Sequence, residues 1–171
     1  MKMKYRFMMN PTEEEKKKLL RTFEHCCFVY NKLLDVLRIK KTISEISSKD
    51  VTRLKRRYKE LKNMHCTLLY AQISHLFRSW KEAGEKVESM RPKKLEDFTM
   101  LPFYKGGYQF LQKKRGDDVF LVLHKIGRIP VDVDRDIEGQ VKKVVVERDG
   151  SDDWYVSVST EPFFSIIAKR N

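Results

Sequence analysis

Apolar and basic positions alternate from Lys2 to Met9: Met3, Tyr5, Phe7 and Met9 fall on one side, Lys2, Lys4, Arg6 and Met8 on the other. A period of two predicts a half-buried strand. Then the period changes. Thr12 followed by Glu15 is a capping box, in which each side chain satisfies a free backbone donor of the other residue. Beyond it Leu19, Leu20, Phe23, Cys27, Tyr30, Leu34 and Leu37 recur at helical spacing, which predicts a first helix over about residues 12–40. Ser47 or Ser48 can cap a second helix whose apolar stripe is Val51, Leu54, Tyr58 and Leu61, with Arg53, Lys55, Arg56, Arg57, Lys59 and Lys62 spread over the rest. A third begins near Asn63 and is expected to bury Leu69, Ile73, Leu76, Phe77 and Trp80. It leaves Gln72, His75, Arg78, Ser79 and Lys81 for solvent or ligand and ends at Gly84. Residues 85–94, broken by Arg91-Pro92, read as a linker.

After residue 98 the texture turns to strands. "YQFL", "VFLVL", "RIPVDVD", "VKKVVVE" and "WYVSVST" are separated by Gly-Gly, Arg-Gly-Asp-Asp, Glu-Gly and Asp-Gly turn signals. These make a small antiparallel sheet or barrel. The N-terminal strand has no local hairpin partner, so it is expected to join this sheet, with the helices inserted between the first strand and the second. The fold class is therefore α+β: a small antiparallel barrel carrying a three-helix lobe.

Charge sharpens the picture. The formal net charge is +12. Residues 11–95 hold 21 basic and 11 acidic residues, whereas 96–171 hold 12 and 13. A field concentrated in the helical segment attracts polyanions, which makes nucleic acid the leading partner and an acidic membrane surface the lesser one. No run of about 18 apolar residues is present and the N-terminus lacks a signal-peptide pattern, so neither export nor anchoring is expected. Cys26, Cys27 and Cys66 are odd in number and include an adjacent pair, which fits a reducing cytoplasm.

The ingredients of catalysis are sparse. His25, His65, His75 and His124 are scattered, and His25-Cys26-Cys27 lacks the spacing of a zinc site. Cys27 reads as a small hydrophobe. Asp132 and Asp134 alternate with Val131 and Val133 and are expected on the outward face of one strand, where charges discourage edge-to-edge pairing. Phosphate-cradling glycine loops and nucleophile elbows are absent from the sequence. No metal and no cofactor is called for. Nucleic-acid contacts are better supported. Lys49, Arg53, Lys55, Arg56, Arg57, Lys59 and Lys62 can neutralise several phosphates with little sequence discrimination, the rival reading being a solvated helix face. Tyr104, Tyr108 and Tyr70 sit outside the apolar stripes and can stack on bases, or serve as core and rim residues.

A short strand, then "NPTEEEKKKLLRTFEHCCFVYNKLL", a helical segment and "HKIGRIPVDVDRDIEGQVKKVVVERDGSDDWYVSVSTE" together resemble the N-terminal half of TnpB, the OrfB-type transposon protein ancestral to type V CRISPR effectors. The Pro-Thr before the helix, "FVYN", "KIG", "IEG" and the "DG…WYVS" hairpin all fall in the family's order, and the resemblance spans about residues 2–161. It implies an oligonucleotide-binding-like wedge barrel (1–10 and 96–165), a helical recognition lobe (11–95) and a tail (166–171) leading to where a nuclease domain would begin. The implied partners are guide RNA, double-stranded DNA bearing a short adjacent motif and a separate RuvC nuclease chain. In such proteins base pairing reads sequence while the protein reads duplex shape and the motif. By position, Ser47 to Lys62 and Asn63 to Gln72 would lie near the motif duplex. The motif-reading side chains vary within the family, so only that region is carried over; the full set of candidate contacts also takes in Lys2, Lys4, Arg6, Asn31, Tyr70, Arg78, Tyr104, Lys105 and Tyr108. Tyr30 and Asn31 match "FVYN", while packing of Tyr30 and local bonding by Asn31 explain the same residues equally well. The family's RuvC motif does not occur in this sequence, so the chain alone is expected to bind and not to cut. A shortened form, a naturally truncated relative and half of a split effector all fit. A stand-alone DNA-binding regulator that kept the fold and lost the RNA is the alternative.

Overall fold

The computed structural model describes residues 2–111 and 119–162. In chain order the elements are β1 (Met3–Met9), α1 (Glu13–Lys40), α2 (Ser48–Arg57), α3 (Cys66–Glu82), β2 (Met100–Tyr104), β3 (Tyr108–Leu111), β4 (Val119–Leu123), β5 (Gly127–Asp132), β6 (Gln140–Arg148) and β7 (Trp154–Glu161). The expected tail at 166–171 and the Arg-Gly-Asp-Asp turn at 115–118 lie outside the described residues. Two compact units emerge, one from residues 2–19 with the described residues from Thr99 onward, the other from Leu20–Phe98. No helix among the described residues is long and apolar enough to cross a membrane.

The first unit is a seven-stranded antiparallel sheet, curled into a nearly closed barrel, in the order β2-β6-β7-β1-β5-β4-β3. β1 does join it, pairing with β7 from Met3↔Thr160 to Met9↔Trp154 and with β5 at Met8↔Asp132. Alternation does the work foreseen for it: Tyr5, Phe7 and Met9 are buried with Trp154, Val156 and Val158, while Lys2, Lys4 and Arg6 stay outside. Burying each large apolar side chain contributes roughly 1.5–3 kcal/mol. The sequence pattern missed β2. Its Pro102 interrupts a strand reading, but β2 is terminal in the sheet order and pairs only with β6, through Pro102↔Val145, so the missing donor faces no ladder. β5 also stops short of expectation. The Val133 N–H donates to the Val131 carbonyl at 3.1 Å, a three-residue turn that takes Asp134 off the strand that carries Asp132.

α1 begins with the foreseen capping box: Thr12 N–H donates to Glu15 Oε1 at 2.9 Å and Glu15 N–H to Thr12 Oγ1 at 3.2 Å. In the helical unit Phe23, Cys26, Val29, Tyr30, Leu33, Leu34 and Leu37 of α1 pack with Val51, Leu54, Leu61, Leu68, Leu69 and Leu76. Cys26 is the buried cysteine, its thiol pushed up to about 12 by burial, whereas Cys27 is only partly covered. The expected burial on α3 is rotated. Gln72 is buried, Phe77 is 45% exposed, and Ile73 and Trp80 are half-buried. The rotation is possible because Gln72 satisfies itself, donating from Nε2 to the Leu68 carbonyl at 3.1 Å. α2 ends at Arg57, with Tyr58 extended (φ −116°, ψ 95°), and a 3-10 turn over Lys59–Asn63 follows; α3 starts at Cys66, capped by His65. Residues 85–94 are not a loose linker, since Met90 is buried and its carbonyl accepts from Arg38 at 3.1 Å.

Candidate nucleic-acid interface

α2 is short and highly charged, so its shape depends on how its first turn is held. Ser47 Oγ accepts from the Lys49 N–H at 3.3 Å, and the Ser47 N–H donates to Asp50 Oδ2 at 2.9 Å. Asp50 is buried, and Lys40 Nζ and Arg53 reach its Oδ1 at 3.1 and 3.7 Å. A carboxylate near the helix N-terminus also suits the helix dipole. Val51 and Leu54 then fix the buried side. At about 100° per residue, Lys49, Arg53 and Arg56 fall together on the opposite side, with Arg57 at its flank. All four are exposed, and the Arg53 side chain keeps 71% of its surface despite its ion pair. This is a cationic face held out to solvent by a rigid cap.

The face continues beyond α2 onto Lys32, which the sequence did not single out, and onto Tyr58, which it assigned to the apolar stripe. The rings of Phe28 and Tyr58 meet edge-on with centroids 4.8 Å apart. Lys32 Nζ lies 5.5 Å from the Phe28 ring and 5.7 Å from the Tyr58 ring, and the Arg57 guanidinium is 5.5 Å from Tyr58. Tyr58 thus leaves the apolar stripe assigned to it and becomes a half-exposed ring between two cations. Lys59, Lys62 and Asn63 are exposed on the following turn, and Lys55 is half-buried. Exposed Ser47-side cations, a ring and a lysine from α1 form one patch that can neutralise phosphates and offer a stacking surface.

Other expected contacts are placed elsewhere. Tyr70 and Arg78 are exposed on α3, whereas Gln72 is committed inside, its Oε1 3.3 Å from His75 Nδ1. Asn31 spends both ends of its amide on the backbone of Lys93. On the barrel, Lys4 and Arg6 lie on the outer face of β1, and Tyr104 is exposed with Lys143 Nζ 5.4 Å from its ring. Lys105 is exposed in the turn that follows. Tyr108 is half-buried, donating to the Val141 carbonyl at 3.3 Å, and burial raises its pKa. Among the described residues no group of three or more His, Cys, Asp or Glu side chains is gathered as a metal site would be.

Residues 1–41 match the model of a helix-turn-helix domain of OrfB of the IS605 type. The match places residues 1–41 with the TnpB/OrfB (IS605) family. No curated protein matches the chain. A helix-turn-helix domain is a DNA-binding module, so the match carries nucleic-acid binding and transposon association at a coarse level. The matched residues fold as β1 and the single long helix α1. They contribute Lys4 and Arg6 on the sheet and Lys32 on the helix, while the denser cationic face on α2 lies beyond the match. Lys32 went unnoticed in the sequence because it is one of several lysines on α1. Phe28, one turn earlier on α1, gives it one ring, and the bend at Tyr58, which no residue pattern announces, brings the second.

Proposed function

We propose that this chain is the guide-RNA and target-DNA binding part of a TnpB-type RNA-guided DNA endonuclease, with no cutting chemistry of its own. The observation that supports it most is the capped, outward cationic face of Lys49, Arg53, Arg56 and Arg57, joined by Lys32 and Tyr58. Such a surface grips sugar-phosphate backbones without reading bases. That is the protein's task where a guide does the reading. The barrel and the helical unit then act as the wedge and the recognition lobe. Double-stranded DNA with a short adjacent motif is the target, and a RuvC-type nuclease domain or chain supplies cleavage. The test is copurification of the full chain with RNA from its own transcripts, followed by DNA-binding assays before and after ribonuclease. Loss of DNA binding on RNA removal is expected.

One observation favours a second reading. The matched domain is described as helix-turn-helix, a DNA-binding module that needs no RNA. DNA binding that survives ribonuclease would replace the guided module with a stand-alone regulator.

A further inference from the structure

The outer face of the barrel carries a feature that the proposed function does not require. Successive cross-strand pairs place Tyr104, Lys143, Ser159 and Lys4 in one row across β2, β6, β7 and β1, and Val145, Ser157 and Arg6 in the next. Arg6 is held more firmly than an exposed arginine usually is. Its guanidinium carbon sits 3.8 Å from the centroid of the Tyr155 ring, and its Nε donates to Glu147 Oε2 at 3.2 Å. Glu147 is fixed in turn by the Ser157 hydroxyl, which donates to Oε1 at 2.8 Å. Ser157 and Glu147 are largely covered, yet the Arg6 side chain remains 53% exposed. A ring on one side and a carboxylate at one edge lock the guanidinium plane and leave its outer surface to solvent.

We infer that Arg6, stacked on Tyr155, is a platform for an unpaired nucleobase, with Lys4 and Lys143 in the neighbouring row taking the flanking phosphates. This rests on the nucleic-acid reading above and assigns to the barrel face a single-stranded segment. A planar guanidinium prefers the face of a base, and a base offers that face only where it is unpaired or at a duplex end. The charges around the platform favour a polyanion: Lys4, Arg6 and Lys143 stand against Glu147 and Asp149, whose carboxyl is held low chiefly by hydrogen bonds from Ser151 and in small part by the charge of Arg6. Tyr104, with Lys143 beside its ring, supplies a second aromatic surface at the end of the same row.

The test uses the full chain and labelled short oligouridylate, oligothymidylate and a DNA duplex, read by fluorescence anisotropy. Arg6→Lys keeps the charge and the partner for Glu147 but lacks the plane. Tyr155→Leu keeps an apolar strand residue but removes the ring under Arg6. Each should weaken single-strand binding about fivefold or more, the range expected for losing one stacked base, and leave duplex binding and the salt slope unchanged. Equal loss on both oligomers assigns the base and phosphate, whereas loss on oligouridylate alone assigns the ribose hydroxyl as well. Single-strand affinity unchanged in both variants overturns the platform. An unaltered chain that copurifies with its own transcript but binds neither oligomer also overturns it and leaves the proposed function standing; one that retains no transcript and binds neither oligomer overturns both.

Discussion

Asn31 and Lys93 hold each other through two hydrogen bonds, the Asn31 Nδ2 donating to the Lys93 carbonyl at 2.9 Å and the Lys93 N–H donating to Asn31 Oδ1 at 2.8 Å. An asparagine amide here imitates a strand partner for a segment that has none, since it satisfies donor and acceptor of one residue at once. The Cys27 thiol adds a third bond to the same carbonyl at 3.4 Å. Asn31→Ala should therefore lower the unfolding free energy by about 1–3 kcal/mol, because it strands two partly covered backbone groups. Urea unfolding measures this. An unchanged midpoint would mean that water replaces the amide without cost.

The α2 face makes a different kind of claim, about binding rather than folding. Replacing Arg53, Arg56 and Arg57 together by alanine should weaken RNA and DNA binding by roughly 1 kcal/mol or more and flatten the salt slope by about one for each phosphate no longer neutralised. Folding should survive, as all three side chains are exposed. Titrations at several salt concentrations check both effects, and a slope that does not move marks the face as solvated only.

His75 gives the helical unit a pH dependence. Burial first, then the charges of Lys93 and Arg78, push its pKa down to about 4. Lys93 Nζ is 3.0 Å from Nε2, and an ammonium can only donate, so Nε2 accepts and Nδ1 carries the proton toward Gln72. The ring lies between Tyr30 and Phe98, with centroids at 4.8 and 5.3 Å. The unfolded chain thus binds a proton below about pH 6.5 that the folded chain refuses until about 4. Stability is full above 6.5 and falls as pH drops from 6.5 through 4, by ~2 kcal/mol once solvent screening at this half-buried site is allowed for. Unfolding at about pH 7.5 and about pH 4.5 should show the loss, and His75→Gln should remove most of it.

Two glycines separate strain from collision. Gly139 has φ +87°, and a Cβ there would meet the Glu161 carbonyl oxygen at 2.6 Å; Gly106 has φ +96° and open space around it. Gly106→Ala should cost about 1–2 kcal/mol, the backbone penalty alone. Gly139→Ala should cost clearly more, because the β7 backbone must also move. Equal thermal shifts in the two variants would show that β7 yields freely.

Elements whose period agrees with their burial were readable from residues alone. β1 alternates cleanly, α1 opens with its capping box, and β4 to β7 follow the turn signals between them. Pro102 hid β2 because proline argues against a strand unless the strand's place in the sheet is known. Gln72 and Phe77 exchanged their expected places because polarity predicts exposure only when no partner is at hand. Gln72 finds the Leu68 carbonyl and His75. Of the candidate interface, the charges on α2 were legible, since helical spacing alone sorts them from Val51 and Leu54. The gathering of Lys32, Phe28 and Tyr58 was not, because it depends on a chain bend. Nor was the Arg6–Tyr155 stack, which joins residues nearly the whole chain apart.

β1 lies between β5 and β7, so its main partner is the last strand described. At ~5–20 residues per second, a ribosome needs roughly 10–30 s to reach Glu161 after finishing Met9. Until β5 appears the leading strand has no partner, and until β7 follows it has only the short register of Met8 and Met9 with Asp132 and Val131, while Leu20–Phe98 has already emerged and can condense by local contacts. Lysines and an arginine along one side of that waiting segment then have a second use: like charges keep nascent copies from pairing with one another until the proper neighbour arrives.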